Sequence, residues 1–223
     1  MNVLIVAAHT DDEALGCGGT IAKHVANGDI VSAIYMADGV SSRNEVGENE
    51  FSVRMAATEN AQRVLGITDS HYLGFADNKM DSLPLLDIVQ PLEAIVEKIE
   101  PDIIYTHHLG DLNIDHRITH QAVLTACRPL PSSRLRAIYA FEVLSSTEWT
   151  MGGTANAFHP QKFVDITNFL EVKKQALFCY AEEMRPFPHA RSHEMVESLA
   201  KLRGGTVGMM AAEAFVVIRD CAF

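Results

Sequence analysis

The amino-acid sequence predicts an α/β protein, a Rossmann-like three-layer α/β/α sandwich with a mostly parallel sheet. Short apolar runs alternate with helical patterns along the chain, as in parallel strands that are joined by crossover helices. Histidines and carboxylates follow the ends of two of these runs, at the sheet edge where ligands of such folds bind. With 223 residues, 48% of them hydrophobic, the chain suits one α/β unit, so we expect a single domain over residues 1–223.

Each element is predicted from its own local pattern. The apolar runs predict strands at 3–8, 30–36, 71–74, 103–106, 135–143, 162–166 and 215–219. A helix is expected to open directly after the first strand, and others are predicted at 50–65, 85–99, 116–127 and 168–180. Gly66 ends the helix at 50–65, and Pro84 and Pro101 bracket the helix at 85–99. Stretches 38–49 and 144–157 predict loops near the functional edge.

Composition excludes several classes of function. The formal net charge is −11, which argues against nucleic acid or an anionic membrane as the main partner, because both require basic patches. No apolar run reaches the length of a membrane span, and the first apolar run is too short for a signal peptide. Four widely spaced cysteines without a CxxC pair are typical of free thiols. We therefore expect a cytoplasmic location.

The first polar cluster, "AAHTDDEALGCGGT", follows the first strand. An imidazole at His9 and a carboxylate at Asp12 suit zinc or another borderline divalent ion. Asp11 could then take a proton from a water activated by that ion. The alternative is that Thr10 or Asp11 simply caps the next helix. The G-x-G-G pattern inside the cluster does not fit a dinucleotide fingerprint, and close packing of the helix on the sheet explains these glycines better.

The second cluster, "THHLGDLNIDHRITH", follows the fourth strand. His116 can complete a His/Asp/His set with His9 and Asp12, while Asp115 and Asn113 flank it. Capping of the next helix by Asp115 is the competing explanation. His120 shares a helix face with His116, and a solvent-facing position is favoured for it. Of the neighbouring His107 and His108, at least one should face the cleft.

These clusters resemble a known family. "AHTDDEALGCGGT" is similar to the P-H-P-D-D-E-x-x-G-x-G-G signature of the PIG-L (LmbE-like) zinc-dependent N-acetylglucosaminyl de-N-acetylases, and "NIDH" is similar to their H-x-D-H box. The resemblance continues through "RMAATENAQRVLGI", "LGFAD" and "ARSHEMVESLAKLRGGTVGMMAAEAF". It therefore covers nearly the whole chain.

Matched residue by residue, the resemblance implies zinc on His9, Asp12 and His116. It implies that Asp11 is the general base and that Asp115 belongs to the supporting network.

The resemblance also implies that Arg54 contacts the substrate and that Asp77 grips sugar hydroxyls. An ion pair of Arg54 with Glu50 or Glu59 on the helix surface, and turn formation by Asp77 with Asn78, are the alternatives.

The chain departs from the family pattern at two positions. Thr10 replaces the usual proline of the first box, and Asn113 stands where the first histidine of H-x-D-H is usual. An Asn amide can donate a hydrogen bond to a developing oxyanion but cannot protonate a leaving amine. His189 and His193 are candidates for a compensating group, with a surface loop as the alternative.

The resulting hypothesis is a metal-dependent hydrolase that removes the acetyl group from an N-acetylated amino sugar or sugar conjugate. Zn²⁺ is the expected metal, and Fe²⁺ or Co²⁺ would also suit a His/Asp set. A non-catalytic metal- or sugar-binding protein of the same fold is the alternative, which Asn113 favours. The expected partner is a small-molecule substrate, and the family resemblance adds the expectation of a homo-oligomer.

A phosphorylated substrate would require local positive charge, for which the candidate residues are Arg43, Arg54, Lys79, Arg117, Arg185 and Arg191.

Overall fold

The computed structural model describes residues 1–39, 41, 48–131, 133–150 and 156–222. Its strands are β1 (Asn2–Ala7), β2 (Ile30–Ala37), β3 (Asp69–Phe75), β4 (Ile103–His107), β5 (Ala137–Phe141), β6 (Lys162–Asp165) and β7 (Ala212–Asp220). Its helices are α1 (Asp12–Ala26), α2 (Glu48–Leu65), α3 (Leu85–Ile99), α4 (Ile114–Ala126), α5 (Leu170–Cys179) and α6 (His193–Gly205). Single 3₁₀ turns lie at Met80–Ser82 and Thr147–Trp149.

The described strands form one sheet in the order β3-β2-β1-β4-β5-β7-β6. Neighbours from β3 to β5 pair in parallel, whereas β7 pairs antiparallel with both β5 and β6. The chain order reverses between β1 and β4, so the loops after these two strands diverge and leave a crevice at their carboxyl ends. Both polar clusters of the sequence follow these two strands.

Helices cover both faces of the sheet. Alternate residues of β1 point to opposite faces, as the pleat requires: Val3 and Ile5 join one core cluster, and Leu4 and Val6 join the other. The core cluster that contains Val3 and Ile5 also includes buried residues of α1, α2, α5 and α6. The core cluster that contains Leu4 and Val6 includes buried residues of α3 and α4. The predicted three-layer α/β/α sandwich with a mostly parallel sheet is therefore confirmed.

Glycines allow α1 to lie close to the sheet, as the sequence predicts. A Cβ atom at Gly16 would lie 2.3 Å from the ring of Phe141, and one at Gly19 would lie 2.9 Å from Ile166. Either contact would push the helix away from the sheet. The close packing fixes the start of α1, which carries the acidic residues of the first cluster.

Helix α1 is kinked at Cys17, which has non-helical φ and ψ of −146° and 24°. The kink frees backbone groups, and a buried ion pair satisfies several of them. Lys173 Nζ donates to the carbonyl of Leu15 and lies 2.6 Å from Glu213 Oε1. The Glu213 carboxylate accepts hydrogen bonds from the backbone of Gly19 and Thr20. The two halves of α1 are thus tied to α5 and β7.

The observed elements differ from the sequence predictions in identifiable places. No element was predicted at 193–205, where α6 lies, and the antiparallel direction of β7 was not predicted either. Residues 40 and 42–47 of the loop predicted at 38–49, which include Arg43, lie outside the described residues, as do residues 151–155 of the loop predicted at 144–157. No helix in the described part of the chain is long and apolar enough to cross a membrane.

Candidate metal centre

Three side chains from the two polar clusters meet at the crevice. His9 follows β1, Asp12 begins α1, and His116 lies in the first turn of α4. His9 Nδ1 and His116 Nε2 each lie 3.3 Å from Asp12 Oδ2, and all three residues are buried. The structure thus brings together residues that are more than 100 positions apart in the sequence.

The donor set of these residues fits a divalent cation. One potential ligand atom from each of His9, Asp12 and His116 lies within 4.8 Å of the others. Asp12 Oδ1 and His116 Nε2 are buried and have no hydrogen-bond partner in the described part of the chain. Unpaired buried polar atoms are costly, and a bound cation would satisfy both. Two imidazoles and one carboxylate are a ligand set of zinc enzymes, which keep a further position for water or substrate.

Carboxylates also lie close to the ring nitrogen of each histidine that faces away from Asp12. His9 Nε2 lies 3.0 Å from Asp77 Oδ1 and 3.2 Å from Asp115 Oδ2, and His116 Nδ1 lies 3.1 Å from Asp111 Oδ2. Metal-binding histidines commonly donate their other ring N–H to a carboxylate, which fixes the ring. Sequence reasoning assigned no role to Asp111, although it lies inside the second cluster.

The electrostatics of these pairs favour positive charge at the centre. Burial alone lowers the pKa of His116, but Asp12 and Asp111 raise it to about 9. Burial likewise opposes ionisation of Asp111, yet hydrogen bonding from His116 holds the pKa of its carboxyl at about 2. Burial raises the pKa of Asp12, and the charges of His116 and His107 bring it well below its usual range. The cavity therefore stabilises a cation and deprotonated carboxylates.

Asp11 lies beside this set in an unusual backbone conformation. Its φ of 111° is in the left-handed region that non-glycine residues rarely adopt. Its side chain makes no helix-capping hydrogen bond, so the alternative in which Asp11 caps the helix is wrong. The carboxylate instead lies 2.9 Å from Arg191 and 3.6 Å from Arg54. Burial raises the pKa of Asp11, and the two guanidinium groups offset only part of that rise.

Glu13 supports this conformation. One Glu13 oxygen accepts the backbone N–H of Asp11 at 2.9 Å, and the other accepts the Tyr180 hydroxyl at 2.7 Å. Burial raises the pKa of Glu13 to about 7. No role was predicted for Glu13, even though it belongs to the "TDDE" of the first polar cluster.

Asn113 is the N-cap of α4. Its side-chain oxygen accepts hydrogen bonds from the backbone of Asp115 at 2.8 Å and His116 at 3.4 Å. The alternative in which Asp115 caps the helix is therefore wrong: the Asp115 carboxylate accepts instead from the backbone N–H groups of Asn78 and Met80. Because the Asn113 oxygen faces the helix, its amide NH₂ group is turned away from these N–H groups.

A polar cleft of about 210 Å³ opens over Asp11. Its lining includes Arg54, Asp77 and Asn113, together with His9 and Arg191. The structure thus places both residues that were predicted to contact the substrate beside the predicted base.

The alternatives for these residues are resolved in different ways. Arg54 is only 9% exposed, and its guanidinium pairs with Glu183 at 2.7 Å and bonds Thr10, so it does not form a helix-surface ion pair. Asp77 does accept a hydrogen bond from the Asn78 amide, as the turn alternative predicted, while it also contacts His9.

The other candidate histidines divide into buried and peripheral ones. His107 stacks on His116 with ring centroids 3.9 Å apart, and its Nε2 accepts the backbone N–H of Ala8. The solvent-facing position predicted for His120 is wrong, because its ring is buried and hydrogen-bonds to the backbone carbonyl of His107. His189 is exposed, as the surface-loop alternative predicts, whereas His193 is half-buried at the start of α6 and stacks on Phe178.

Positive charge in the cleft comes from Arg54 and Arg191. The sequence indicates Arg191 only as one of six possible sources of positive charge, and its contact with Asp11 was not predicted. Both guanidinium groups already face carboxylates, Glu183 and Asp11.

Comparison with known proteins agrees with this geometry. A family profile described as PIG-L, GlcNAc-PI de-N-acetylase, matches residues 4–127. An uncharacterized deacetylase, YaiS, of Escherichia coli is 31% identical over 78% of this chain and 88% of its own length. A probable N-acetyl-alpha-D-glucosaminyl L-malate deacetylase of Bacillus cereus is 28% identical over 68% of this chain and 72% of its own.

Solved structures share the fold. The N,N'-diacetylchitobiose deacetylase of Pyrococcus horikoshii superposes with a TM-score of 0.78 at 22% identity, covering 97% of this chain and 83% of the other. The 4-carboxy-2-hydroxymuconate hydratase of Pseudomonas putida superposes with a TM-score of 0.78 at 21% identity, covering 100% of this chain and 98% of the other. The fold alone therefore does not decide the reaction. The matching profile covers more than half of the chain and includes both polar clusters, and the chain accordingly belongs to the PIG-L, GlcNAc-PI de-N-acetylase, family.

Proposed function

We propose that the protein is a metal-dependent hydrolase that removes the acetyl group from an N-acetylated amino sugar or sugar conjugate. The observation that carries the proposal is the buried His9, Asp12 and His116 set with the Asp11 carboxylate beside it at the floor of a polar cleft. Family membership and the deacetylase names of the relatives support the same reaction class.

His9, Asp12 and His116 would hold the metal, for which we propose Zn²⁺, with Fe²⁺ or Co²⁺ as substitutes. A bound ion of this kind polarises the amide carbonyl and lowers the pKa of water. Asp77, Asp115 and Asp111 would keep the two imidazoles oriented toward it.

Asp11 is proposed as the general base. It would take a proton from the attacking water while the water oxygen bonds to the acetamide carbon. The C–N bond then breaks, and the same proton passes from Asp11 to the departing amine, so that acetate and the free amino sugar leave. The raised pKa of Asp11 suits both transfers, because a more basic carboxylate accepts a proton more readily and can also return it.

Asn113 replaces the family's usual histidine without supplying an acid. Its capping hydrogen bonds hold the side chain in one orientation, with the amide NH₂ group available to donate toward the carbonyl oxygen as negative charge develops. Asp77 and Arg54 both line the cleft, where Asp77 would accept hydrogen bonds from sugar hydroxyls and Arg54 would contact the substrate.

The substrate class follows from the cleft and from the relatives. The cleft lining is almost entirely polar, as expected for a hydroxyl-rich ligand. Relatives are named as deacetylases of acetylated glucosamine joined to malate, to inositol or to a second sugar. We propose a substrate of this kind, in which the acetamido group reaches Asp11.

Substitution Asp11→Asn tests the proposal. The variant keeps the shape of the side chain but removes the base, so we expect acetate release to fall by at least about 100-fold. Bound metal, measured by elemental analysis after loading with no more than one equivalent, should not change. Asp165→Asn is the matched control, because Asp165 is exposed on β6 and bonds Thr167, and its activity should equal that of the unsubstituted protein.

Two results would contradict the proposal. Turnover at the unsubstituted rate in Asp11→Asn would remove Asp11 as the base. Absence of acetate release from a broad panel of N-acetylated sugars, by protein with metal bound, would favour the non-catalytic binding protein that Asn113 suggests.

A further inference from the structure

Arg191 makes the shortest ion pair with Asp11. Its NH1 atom donates to Asp11 Oδ2 at 2.9 Å, whereas the nearest Arg54 nitrogen lies 3.6 Å from the other oxygen. The shorter contacts of Arg54 go to Glu183 and to Thr10. A charge-assisted hydrogen bond of this length orients a carboxylate strongly, so the orientation of Asp11 depends mainly on Arg191.

Arg191 is itself held at a second point. Its Nε atom donates to Ser145 Oγ at 2.7 Å, and its backbone N–H donates to His189 Nδ1 at 3.0 Å. Ser145 has a φ of 68°, a left-handed conformation, and its backbone N–H donates to Glu148 Oε1. The guanidinium group therefore bridges the turn at Ser145 and the Asp11 carboxylate.

The same turn also reaches the other half of the candidate metal centre. The hydroxyl groups of Ser146 and Thr147 both donate to Asp111, which contacts His116. Residues 145–147 thus connect to Asp11 through Arg191 and to His116 through Asp111. A left-handed serine is costly unless its surroundings hold it, and here the conformation directs consecutive side chains toward opposite sides of the centre.

We propose that Arg191, anchored by Ser145, is a positioning residue that holds the Asp11 carboxylate in its reactive orientation. The inference rests on the proposed function, since it assigns a purpose to the orientation of the proposed base. It differs from a substrate-binding role, in which Arg191 would contact the sugar; here its Nε and NH1 atoms donate to Ser145 and to Asp11. Arg191 acts on the reaction through Asp11 alone.

Crystal structures and kinetics of Arg191→Met, Arg191→Lys and Ser145→Ala test this inference. In Arg191→Met we expect the Asp11 carboxylate to leave its position, and kcat to fall about 10- to 100-fold while KM stays within about twofold. Ser145→Ala should lower kcat by a smaller factor, because Arg191 keeps its charge but loses its anchor. Arg191→Lys should recover part of the loss, since the ammonium group can pair with Asp11 but cannot also reach Ser145.

Arg185→Met is the matched control. Arg185 lies in the same segment, is exposed, and bonds the backbone carbonyl of Met184. Its removal should leave both the Asp11 carboxylate and kcat unchanged.

Three results would overturn the inference. The first is an Asp11 carboxylate that stays in place in Arg191→Met. The second is a rise in KM at constant kcat, which would mean that Arg191 contacts the substrate. The third is loss of bound metal or of folded protein in both Arg191→Met and Ser145→Ala, which would mean a general structural role. If the unsubstituted protein hydrolyses no acetylated sugar, the proposed function fails, and the position of the carboxylate in the variant crystals still decides this inference.

Discussion

At the scale of single residues, Asn113 shows how one side chain can serve two needs. Its oxygen caps α4 through the N–H groups of Asp115 and His116. The cap thus fixes the first turn of the helix that carries the candidate ligand His116. An amide can cap a helix and still offer donors to a ligand, whereas a carboxylate at this position would offer acceptors only. The departure from the family pattern therefore leaves the geometry of the second cluster supported.

Asp111 gives a residue-scale prediction for metal affinity. It accepts hydrogen bonds from Ser146 and Thr147, and it lies 3.1 Å from His116 Nδ1. Asp111→Asn would remove the negative charge that orients and polarises the imidazole. We expect the affinity for the metal to fall about 10- to 100-fold, as is usual for such partners. Equilibrium competition with a chelator measures the change, with Asp165→Asn as the control. Equal affinities would mean that Asp111 does not support the metal site.

Local sequence patterns identified the residues at the centre but only some of the residues that support them. His9, Asp12 and His116 follow strand ends, and that position was visible in the sequence. Arg191 reaches Asp11 from 180 positions away, and nothing local to its segment indicates this contact. The burial of His120 depends on which face of α4 meets β4, which the histidine spacing alone does not determine.

At the scale of elements, the buried Lys173–Glu213 pair holds α1 in its kinked form. Both side chains are nearly inaccessible, with exposed fractions of 6% and 3%. Removing one partner of such a pair leaves an uncompensated buried charge, at a cost of about 3–5 kcal/mol. The pair also satisfies backbone groups on both sides of the kink at Cys17, so α1 depends on it for its shape.

Lys173→Met should therefore lower the free energy of unfolding by about 3–5 kcal/mol. Lys174→Met is the control, because the neighbouring Lys174 forms partly exposed ion pairs with Glu171 and Glu197, and pairs of that kind contribute about 1 kcal/mol or less. Urea unfolding followed by circular dichroism measures both. A similar loss in the two variants would show that the buried pair does not stabilise α1.

The elements with the strongest local signals were predicted well, and α6 was not. Helix α3 has the predicted bounds of 85–99, and its flanking prolines explain why. Helix α6 begins at His193 after its N-cap Ser192, but it buries few large apolar residues, and its apolar periodicity is correspondingly weak. The antiparallel direction of β7 depends on the path of the chain after α6, and a strand's own sequence does not encode its direction.

At the scale of the whole molecule, the reversal of strand order between β1 and β4 creates the crevice that contains the candidate site. The first polar cluster follows β1 and the second follows β4. The segment after β5 supplies residues 145–147, which contact Arg191 and Asp111 beside the site. The sequence could predict the first two, because strand ends carry the reactive residues. It also predicted a loop at 144–157 near this edge, but it could not predict the contacts of residues 145–147, because the serines and threonine of that turn are ordinary loop residues until Asp111 and Arg191 are placed beside them.

The two core clusters permit a test of whether the chain unfolds as one domain, as its sequence predicts. Cys17 belongs to one cluster and Cys127 to the other, on opposite faces of the sheet. Burial raises the pKa of the Cys127 thiol to about 12 and the pKa of Cys17 well above its usual range. A raised pKa lowers the thiolate fraction, so Cys127 is almost entirely in its unreactive protonated form at pH 8.

We therefore expect a thiol reagent at pH 8 to modify the exposed Cys221 quickly and to leave Cys17 and Cys127 unmodified in the folded protein. Both should become reactive in the same narrow range of urea concentration, because a single cooperative domain exposes its two faces together. Mass spectrometry of the modified peptides, in a Cys221→Ser background that removes the fast reaction, measures the two midpoints. Clearly separate midpoints for Cys17 and Cys127 would contradict a single domain, since each face would then unfold on its own.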